Sequence, residues 1–471
     1  MLGDVGASTI EALFVGSSAT LVFDDGSEHT AGSLWEDGRQ VAAWLRSAGV
    51  RRADRVAVRL PNGPDYVRLL AACAAGGFVL VSVNTRYSDA EADDLVERSG
   101  AASLLTDLPD PWRGAEPIEP VGTADDPFVV FTTSGTTSKP KMVLHRQRSI
   151  AEHAADVATA FGHDRRTVGM VVMPLCGTFG LASLTGAVAG GGRTIVTDYE
   201  VERTAALIAR ERVAAVNGSD DMFHRLLEHG ADLSSLRLAG YARFNTSLDG
   251  IVARAERAGA TLTGLYGMSE VQALYALRDP SGDAAERSRA GGTLSSPRAE
   301  CRVVDGELQL RGPSLFAGYL AEGGNTIDEQ LTDRHHDDGW FRTGDLAEPD
   351  GERTFEYVAR MGDVLRLGGF LVAPAEIEAV LMEIDGVTAA EVVAIDRPDG
   401  ARPVAFVIAP DRFDETAALE RCRSRLARYK VPIRVLTIDE FPTTASANGT
   451  KIQKVKLREL AVTSCAREIS G

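Results

Sequence analysis

The 471-residue sequence predicts an α/β protein: a large amino-terminal domain of βα-type sheets plus a β-rich layer, followed by a smaller α+β carboxy-terminal domain. Three observations predict it. Through the first half, short apolar runs alternate with helical periodicities, the pattern of parallel strands covered by helices on both faces. After about Ala299 the apolar runs shorten and are split by Asp-Gly and Gly-rich turns, as in an antiparallel layer. Beyond Gly362 roughly 110 residues read as a unit of their own, an ordinary domain size. The domains are therefore expected at 1–361 and 362–471.

Each element follows from its pattern. Leu34, Val41, Ala42 and Leu45 share one face of a helix over 33–47. A strand over 55–60, a helix over 65–75 and a strand over 79–83 come next, and the apolar runs 168–173, 194–197 and 213–216 continue the alternation. In the β-rich layer 302–304, 307–310 and 354–357 read as short strands. The carboxy-terminal unit reads as a helix over 374–382, strands around 392–394 and 404–408, and a helix over 415–429.

Composition narrows the function. A net charge of −17 repels nucleic acid and anionic membranes, so any phosphate-bearing ligand has to be held by local features. No run approaches the ~18 apolar residues of a membrane span. Met1-Leu2-Gly3-Asp4 lacks a basic stretch followed by an apolar one, so a cytoplasmic location is expected. The five cysteines form no CxxC pair, which favours reduced, buried thiols. His335-His336 beside Asp337-Asp338 reads as a solvated loop rather than a metal site.

The strongest local signal is Phe131-Thr132-Thr133-Ser134-Gly135-Thr136-Thr137-Ser138-Lys139-Pro140-Lys141. A strand runs into clustered hydroxyls, a glycine and two lysines; hydroxyls and free backbone N–H groups cradle phosphate oxygens, and lysines add charge. The Gly-Lys-Ser/Thr ending of a Walker A loop is absent. Gly190-Gly191-Gly192 lacks the spaced glycines of a dinucleotide loop, which argues against an oxidoreductase.

This stretch resembles the phosphate-loop signature of the ANL superfamily of adenylate-forming enzymes, which includes acyl-CoA synthetases, adenylation domains and luciferases. Four further motifs occur in the family's order: Tyr266-Gly267-Met268-Ser269-Glu270, Trp340-Phe341-Arg342-Thr343-Gly344-Asp345, the segment Arg360 to Glu378, and Asn448-Gly449-Thr450-Lys451-Ile452. Pro61-Asn62-Gly63 and Asn84-Thr85-Arg86 also match, so the resemblance spans nearly the whole chain.

The resemblance implies an AMP-forming acyl-CoA ligase using ATP, Mg²⁺ and coenzyme A, or a carrier-protein pantetheine in place of coenzyme A. In it Thr133, Ser134, Gly135, Thr136, Thr137, Lys139 and Lys141 hold phosphates, with Tyr266, Gly267 and Met268 around the adenine. Asp345 takes the ribose hydroxyls and Arg360 the ribose or phosphate. Glu270 and Thr137 serve Mg²⁺, which prefers oxygen donors beside phosphates, and the Ser269 hydroxyl donates to a phosphate oxygen. Lys451 catalyses acyl-AMP formation by bridging carboxylate and α-phosphate. Gly362 is the hinge of a mobile carboxy-terminal domain, and Gly368 and Gly369 line the passage for the pantetheine arm.

The acid pocket is expected from Cys176, Gly177, Phe179 and Gly180 on one wall and Gly240, Tyr241 and Ala242 on the other. Tyr241 either narrows this tunnel or is structural, and Arg243 either meets a polar substrate group or is structural. No Asp stands in the first wall to hold an amino acid's ammonium group. Ser138 and Met142 stand where the family carries glycines, and Thr450 is an extra residue before Lys451. These departures leave two alternatives open: a member that only transfers a supplied acyl-AMP to a thiol, and a nucleotide-binding pseudoenzyme.

Overall fold

The structure, a computed structural model, describes residues 8–133, 140–244, 248, 250–324, 326–367, 370–397, 400–410, 412–446 and 449–466. The expected α/β architecture is present. One sheet orders its strands Ala215–Val216, Val168–Val171, Arg193–Val196, Thr20–Phe23 and Glu28–Thr30, all parallel except the last. A second orders Gly318–Tyr319, Met142–Arg146, Pro127–Thr132, Val79–Ser82, Arg55–Val58 and Leu104–Leu105. Its last four strands run parallel and its first two are added antiparallel.

The helices between sheets form where local signals agree. The helix Ala31–Ser47 is capped by the Thr30 hydroxyl, which accepts from Ser33 N at 3.0 Å. Pro64 opens the helix Pro64–Gly76, and Gly77 ends it at φ +68°, a left-handed stop that glycine adopts without steric cost. The helix Thr178–Gly190 is buried along almost its whole length, which explains why it is apolar on every side.

The expected β-rich layer is present, as part of a larger sheet. Its strands continue a third sheet that begins parallel, with Gly218–Ser219, Ala239–Ala242 and Leu262–Met268. The sheet turns antiparallel at Gln272–Leu277, then adds Gly291–Leu294, Thr354–Arg360, Trp340–Pro349, Glu307–Arg311 and Glu300–Val304. The reason lies in the short turn Ser269–Val271, which joins two neighbours and so permits only an antiparallel pair.

Past Arg360, among the described residues, every strand pairs within the carboxy-terminal segment. There the helix Pro374–Met382 packs on Ala389–Ile395, Arg402–Ile408 and Arg434–Thr437. The helix expected over 415–429 stops at Arg425, where Leu426 turns extended. Arg434–Thr437 pairs in parallel with Arg402–Ile408, so this helix is a crossover and its length is limited by the strands it spans. No helix among the described residues is long and apolar enough to cross a membrane. The cysteines are free thiols: Cys73, Cys176, Cys422 and Cys465 buried, Cys301 partly so.

Candidate active site

Asp345 lies on the long strand Trp340–Pro349, directly opposite Arg360 in the antiparallel pair with Thr354–Arg360. The Arg360 guanidinium donates to Asp345 Oδ1 at 2.8 Å and to the Thr343 carbonyl at 2.8 Å. Tyr266 Oη donates to Asp345 Oδ2 at 2.5 Å. Asp345 is only 3% exposed, and burial pushes its pKa up while Arg360 and these hydrogen bonds pull it down. Tyr266 itself packs edge-on to Phe355, with ring centroids 5.0 Å apart. It thus has a task its motif did not reveal: its hydroxyl fixes the rotamer of Asp345.

Glu270 sits in the turn that reverses the third sheet. Its carbonyl accepts from Phe316 N at 2.8 Å, and its carboxylate accepts from Tyr319 Oη at 2.9 Å. Above the Tyr319 ring, 4.6 Å from its centroid, lies Lys141 Nζ, which donates to His335 Nε2 at 3.0 Å. Burial lowers the Lys141 pKa, with Glu270 opposing and Arg360 adding to the shift. Glu270 acts electrostatically on Asp345 and Arg360 as well, so these four charges share one neighbourhood although the first and last of them lie 219 residues apart in sequence.

Sequence reasoning missed Tyr319 and misread His335. Tyr319 carries no chemical signal in its neighbourhood of small and apolar residues. His335 and His336 were expected on a solvated loop; instead His336 stacks on Phe316 at 5.8 Å and His335 is half-buried with Nε2 toward Lys141. Nδ1 of each donates back to a carbonyl four residues earlier, Leu331 or Thr332, which turns the pair inward.

The expected acid walls are only partly brought together. Phe179 and Ala242 share an apolar cluster with Phe161, Leu265, Ala273 and Leu274. Gly240 faces the same side, since a Cβ there would meet Leu265 at 2.9 Å and Phe161 at 3.0 Å. Tyr241, between them on the strand, points to the other face. It packs with Met222, Phe223 and Ile251 and donates to the Ser288 carbonyl at 3.0 Å. Strand alternation therefore removes Tyr241 from the wall formed by its neighbours. Arg243 is exposed and borders a cavity of about 290 Å³ on the Tyr241 side, together with Asp220 and Ser288.

Cys176 also departs, into the main core beside Tyr66, where burial raises its thiol pKa to about 11. Gly177 caps the helix Thr178–Gly190, and Gly180 lies so close to the Met173 and Pro174 carbonyls that a Cβ would meet them within 2.4 Å. Asn62 secures this segment: its amide donates to the Met173 and Thr197 carbonyls at 3.1 and 2.9 Å and accepts from Leu175 N at 2.8 Å.

Ser134, Gly135, Thr136, Thr137, Ser138, Lys139, Gly368, Gly369 and Asn448 lie outside the described residues, as does the Lys451 side chain. Thr133 stands at the edge of the strand Pro127–Thr132, its N–H donating to the Lys141 carbonyl at 3.0 Å. Lys451 stands in the strand Gly449–Ile452, paired with Thr444 across a hairpin. At Gly362 a Cβ would meet nothing within 4 Å, so nothing in this conformation demands glycine. Among the described residues no group of three or more His, Cys, Asp or Glu side chains could hold a metal alone. A single carboxylate such as Glu270, completed by phosphate oxygens, is the arrangement that suits Mg²⁺.

A family profile described as AMP-binding enzyme matches residues 15–121 and 106–320, and one described as the AMP-binding enzyme C-terminal domain matches 376–448. The chain is 30% identical to a feruloyl-CoA synthase of Amycolatopsis sp. across 93% of its own length and 95% of that protein. It is 28% identical to a 2-succinylbenzoate–CoA ligase of Listeria monocytogenes, across 93% and 96% of the two chains. In fold it is similar to the ATP-bound crystal structure of MatB from Rhodopseudomonas palustris, with a TM-score of 0.84 and 22% identity over 96% and 98% of the chains.

Proposed function

This chain belongs to the AMP-binding enzyme family, and from that premise we propose that it is an AMP-forming acyl-CoA ligase for an acid with an uncharged, apolar body. In the first half-reaction a carboxylate oxygen attacks the α-phosphorus of ATP, giving acyl-AMP and pyrophosphate. In the second, the thiol of coenzyme A displaces AMP and forms the thioester. One observation carries the reading: Lys141, Glu270 and the Asp345–Arg360 pair converge from distant segments, Lys141 held by His335, Glu270 by Tyr319 and Asp345 by Tyr266 and Arg360.

Asp345 is oriented by Tyr266 and Arg360 to accept from vicinal ribose hydroxyls. Lys141 and Arg360 supply positive charge where two anions, carboxylate and triphosphate, must approach. Glu270, with Thr137, would hold Mg²⁺, which supplies charge neutralisation of the phosphates and the leaving pyrophosphate. Lys451 is read as the mobile cation of the first half-reaction, and Gly362 as the hinge that brings and removes it. The apolar body of the acid is inferred from Phe179, Ala242 and Leu265, which pack in one apolar cluster on the side that Gly240 faces.

Trapping of acyl-AMP with hydroxylamine, over a panel of aryl, alkyl, dicarboxylic and amino acids, tests substrate and adenylation together. Expected are hydroxamates from aryl or alkyl monocarboxylates and none from malonate or amino acids. ATP–pyrophosphate exchange with no acid in the panel would favour instead a protein that only transfers a supplied acyl-AMP. Lys451→Ala is expected to suppress acyl-AMP formation while sparing thioester formation from supplied acyl-AMP; equal loss of both would refute its assignment.

A further inference from the structure

The backbone after the Tyr266–Glu270 motif is strained. Gln272 and Leu274 adopt φ of +69° and +62°, the left-handed region, although neither is glycine. Each such residue costs about 1–3 kcal/mol and persists only where surrounding structure imposes it. The bulge between them brings the Ala273 backbone so close to Gly267 that a Cβ on Gly267 would lie 2.5 Å from Ala273 Cα, which is why this motif position is glycine.

The carbonyls of this segment are held from outside it. Ser269 O accepts from His145 Nε2 at 2.7 Å, Glu270 O from Phe316 N at 2.8 Å, Ala273 O from His153 Nε2 at 2.7 Å, and Leu274 O from Ser295 Oγ at 2.7 Å. The Gln272 amide donates to the Ser149 and Ser314 carbonyls at 2.8 and 3.3 Å. Both histidines are fully buried, one on the strand Met142–Arg146 and the other on the helix Gln147–Ala160. Because each Nε2 faces a carbonyl, it must carry the proton, and Nδ1 of His153 is left to accept from Ser314 Oγ at 3.1 Å. Burial keeps both imidazoles neutral by pushing their pKa values down to about 4.

We propose that His145 and His153 are positioning residues for the Glu270 turn: a pair of imidazole N–H clamps that hold the strained Ser269–Leu274 backbone, and with it the carboxylate that meets Mg²⁺-bound ATP. The proposal rests on the reading of Glu270 given above. Without the clamps the turn relaxes toward ordinary strand geometry and Glu270 leaves its place against Tyr319. Asp345 and Arg360 stand on other strands, and their grip on the nucleoside is retained.

Calorimetric titration of the full chain with ATP plus Mg²⁺, ATP plus EDTA, and AMP separates these effects. His145→Leu and His153→Leu are expected to weaken ATP binding in Mg²⁺ about tenfold, with AMP affinity kept within about twofold. His145→Gln and His153→Gln, whose amide reaches the same carbonyl, are expected to restore most of the loss. Equal weakening of AMP and ATP, or glutamine variants no better than leucine, would overturn the proposal. Should the leucine variants fail to fold, Ser314→Ala leaves the His153 ring in place but removes the hydroxyl that orients it. It is expected to weaken Mg²⁺–ATP about threefold with AMP unchanged, and no effect there also overturns the proposal. Wild-type protein that gains no ATP affinity from Mg²⁺ would overturn the Glu270 reading and the clamp with it.

Discussion

Asp345 and Glu391 are both carboxylates with little solvent access, 3% and 8% exposed, but their surroundings differ. Asp345 has a hydrogen-bonded partner on each oxygen, one cation and one neutral hydroxyl. Glu391 stands in the carboxy-terminal domain beside a second buried carboxylate, Glu378, and the two share Lys454, whose Nζ is 3.4 Å from Glu391 Oε2. Glu378 accepts from the Val392 N–H at 3.0 Å, and Asp363, next to the expected hinge, adds further negative charge. The first arrangement is balanced and oriented, suited to receiving a ligand. In the second, one cation serves two buried carboxylates, so one of them retains a proton near neutrality. The comparison teaches that buried charge marks a ligand site only when its geometry is also complete; an incomplete set marks a place where protonation and structure are linked.

Breaking the balanced side has the largest expected effect. Asp345→Ala leaves the Arg360 guanidinium and Tyr266 hydroxyl without their acceptor and removes the ribose contact. ATP and AMP affinity should fall about 100-fold by calorimetry, and a fall of less than about fivefold would remove Asp345 from the site. Breaking the shared side comes next. Lys454→Met leaves two buried carboxylates without their cation and should destabilise the carboxy-terminal domain by about 3 kcal/mol in urea unfolding. Nucleotide affinity should not change, and if it does, the two regions are not independent.

A smaller effect sharpens the contrast through pH. The Glu378 pKa is raised from 4.5 to about 7, by burial first and then by Glu391. A folded value above the unfolded one means the native state binds the proton more tightly. The stabilisation is therefore complete below about 4.5 and is lost as pH rises through about 7. Urea midpoints should decline across that window, and Glu378→Gln should flatten the decline; an unchanged slope would refute the linkage. The smallest effect is expected at the junction between the regions. Gly362→Ala places a Cβ where nothing lies within 4 Å, so stability should change by less than about 0.5 kcal/mol. If Gly362 is the hinge, the ratio of the two half-reaction rates should shift nonetheless.

Much of the fold was legible locally. The helices Ala31–Ser47, Pro64–Gly76 and Pro374–Met382 lie within two residues of their expected spans, because apolar periodicity, a hydroxyl cap and a leading proline all act within a few residues. The motifs around Glu270, Asp345 and Arg360 were legible too, since each keeps its chemistry within a short stretch. What was not legible depends on neighbours that sequence distance hides. Tyr241 was placed with Gly240 and Ala242, yet a strand sends alternate side chains to opposite faces. His335 was placed in solvent, but Phe341, Tyr319 and Lys141 surround it from other segments.

The sequence by itself determined the chain's class, the identity of the groups that can do chemistry and most element positions, because those follow from residue types and short-range periodicity. Only the tertiary structure decided that the antiparallel layer prolongs a parallel sheet, that Tyr266 and Tyr319 each lock a carboxylate, and that two buried histidines hold a strained turn. The physical reason is that hydrogen bonds and burial act through space. A donor 120 residues away along the chain stands 2.7 Å from its acceptor only after packing has brought helix and strand together.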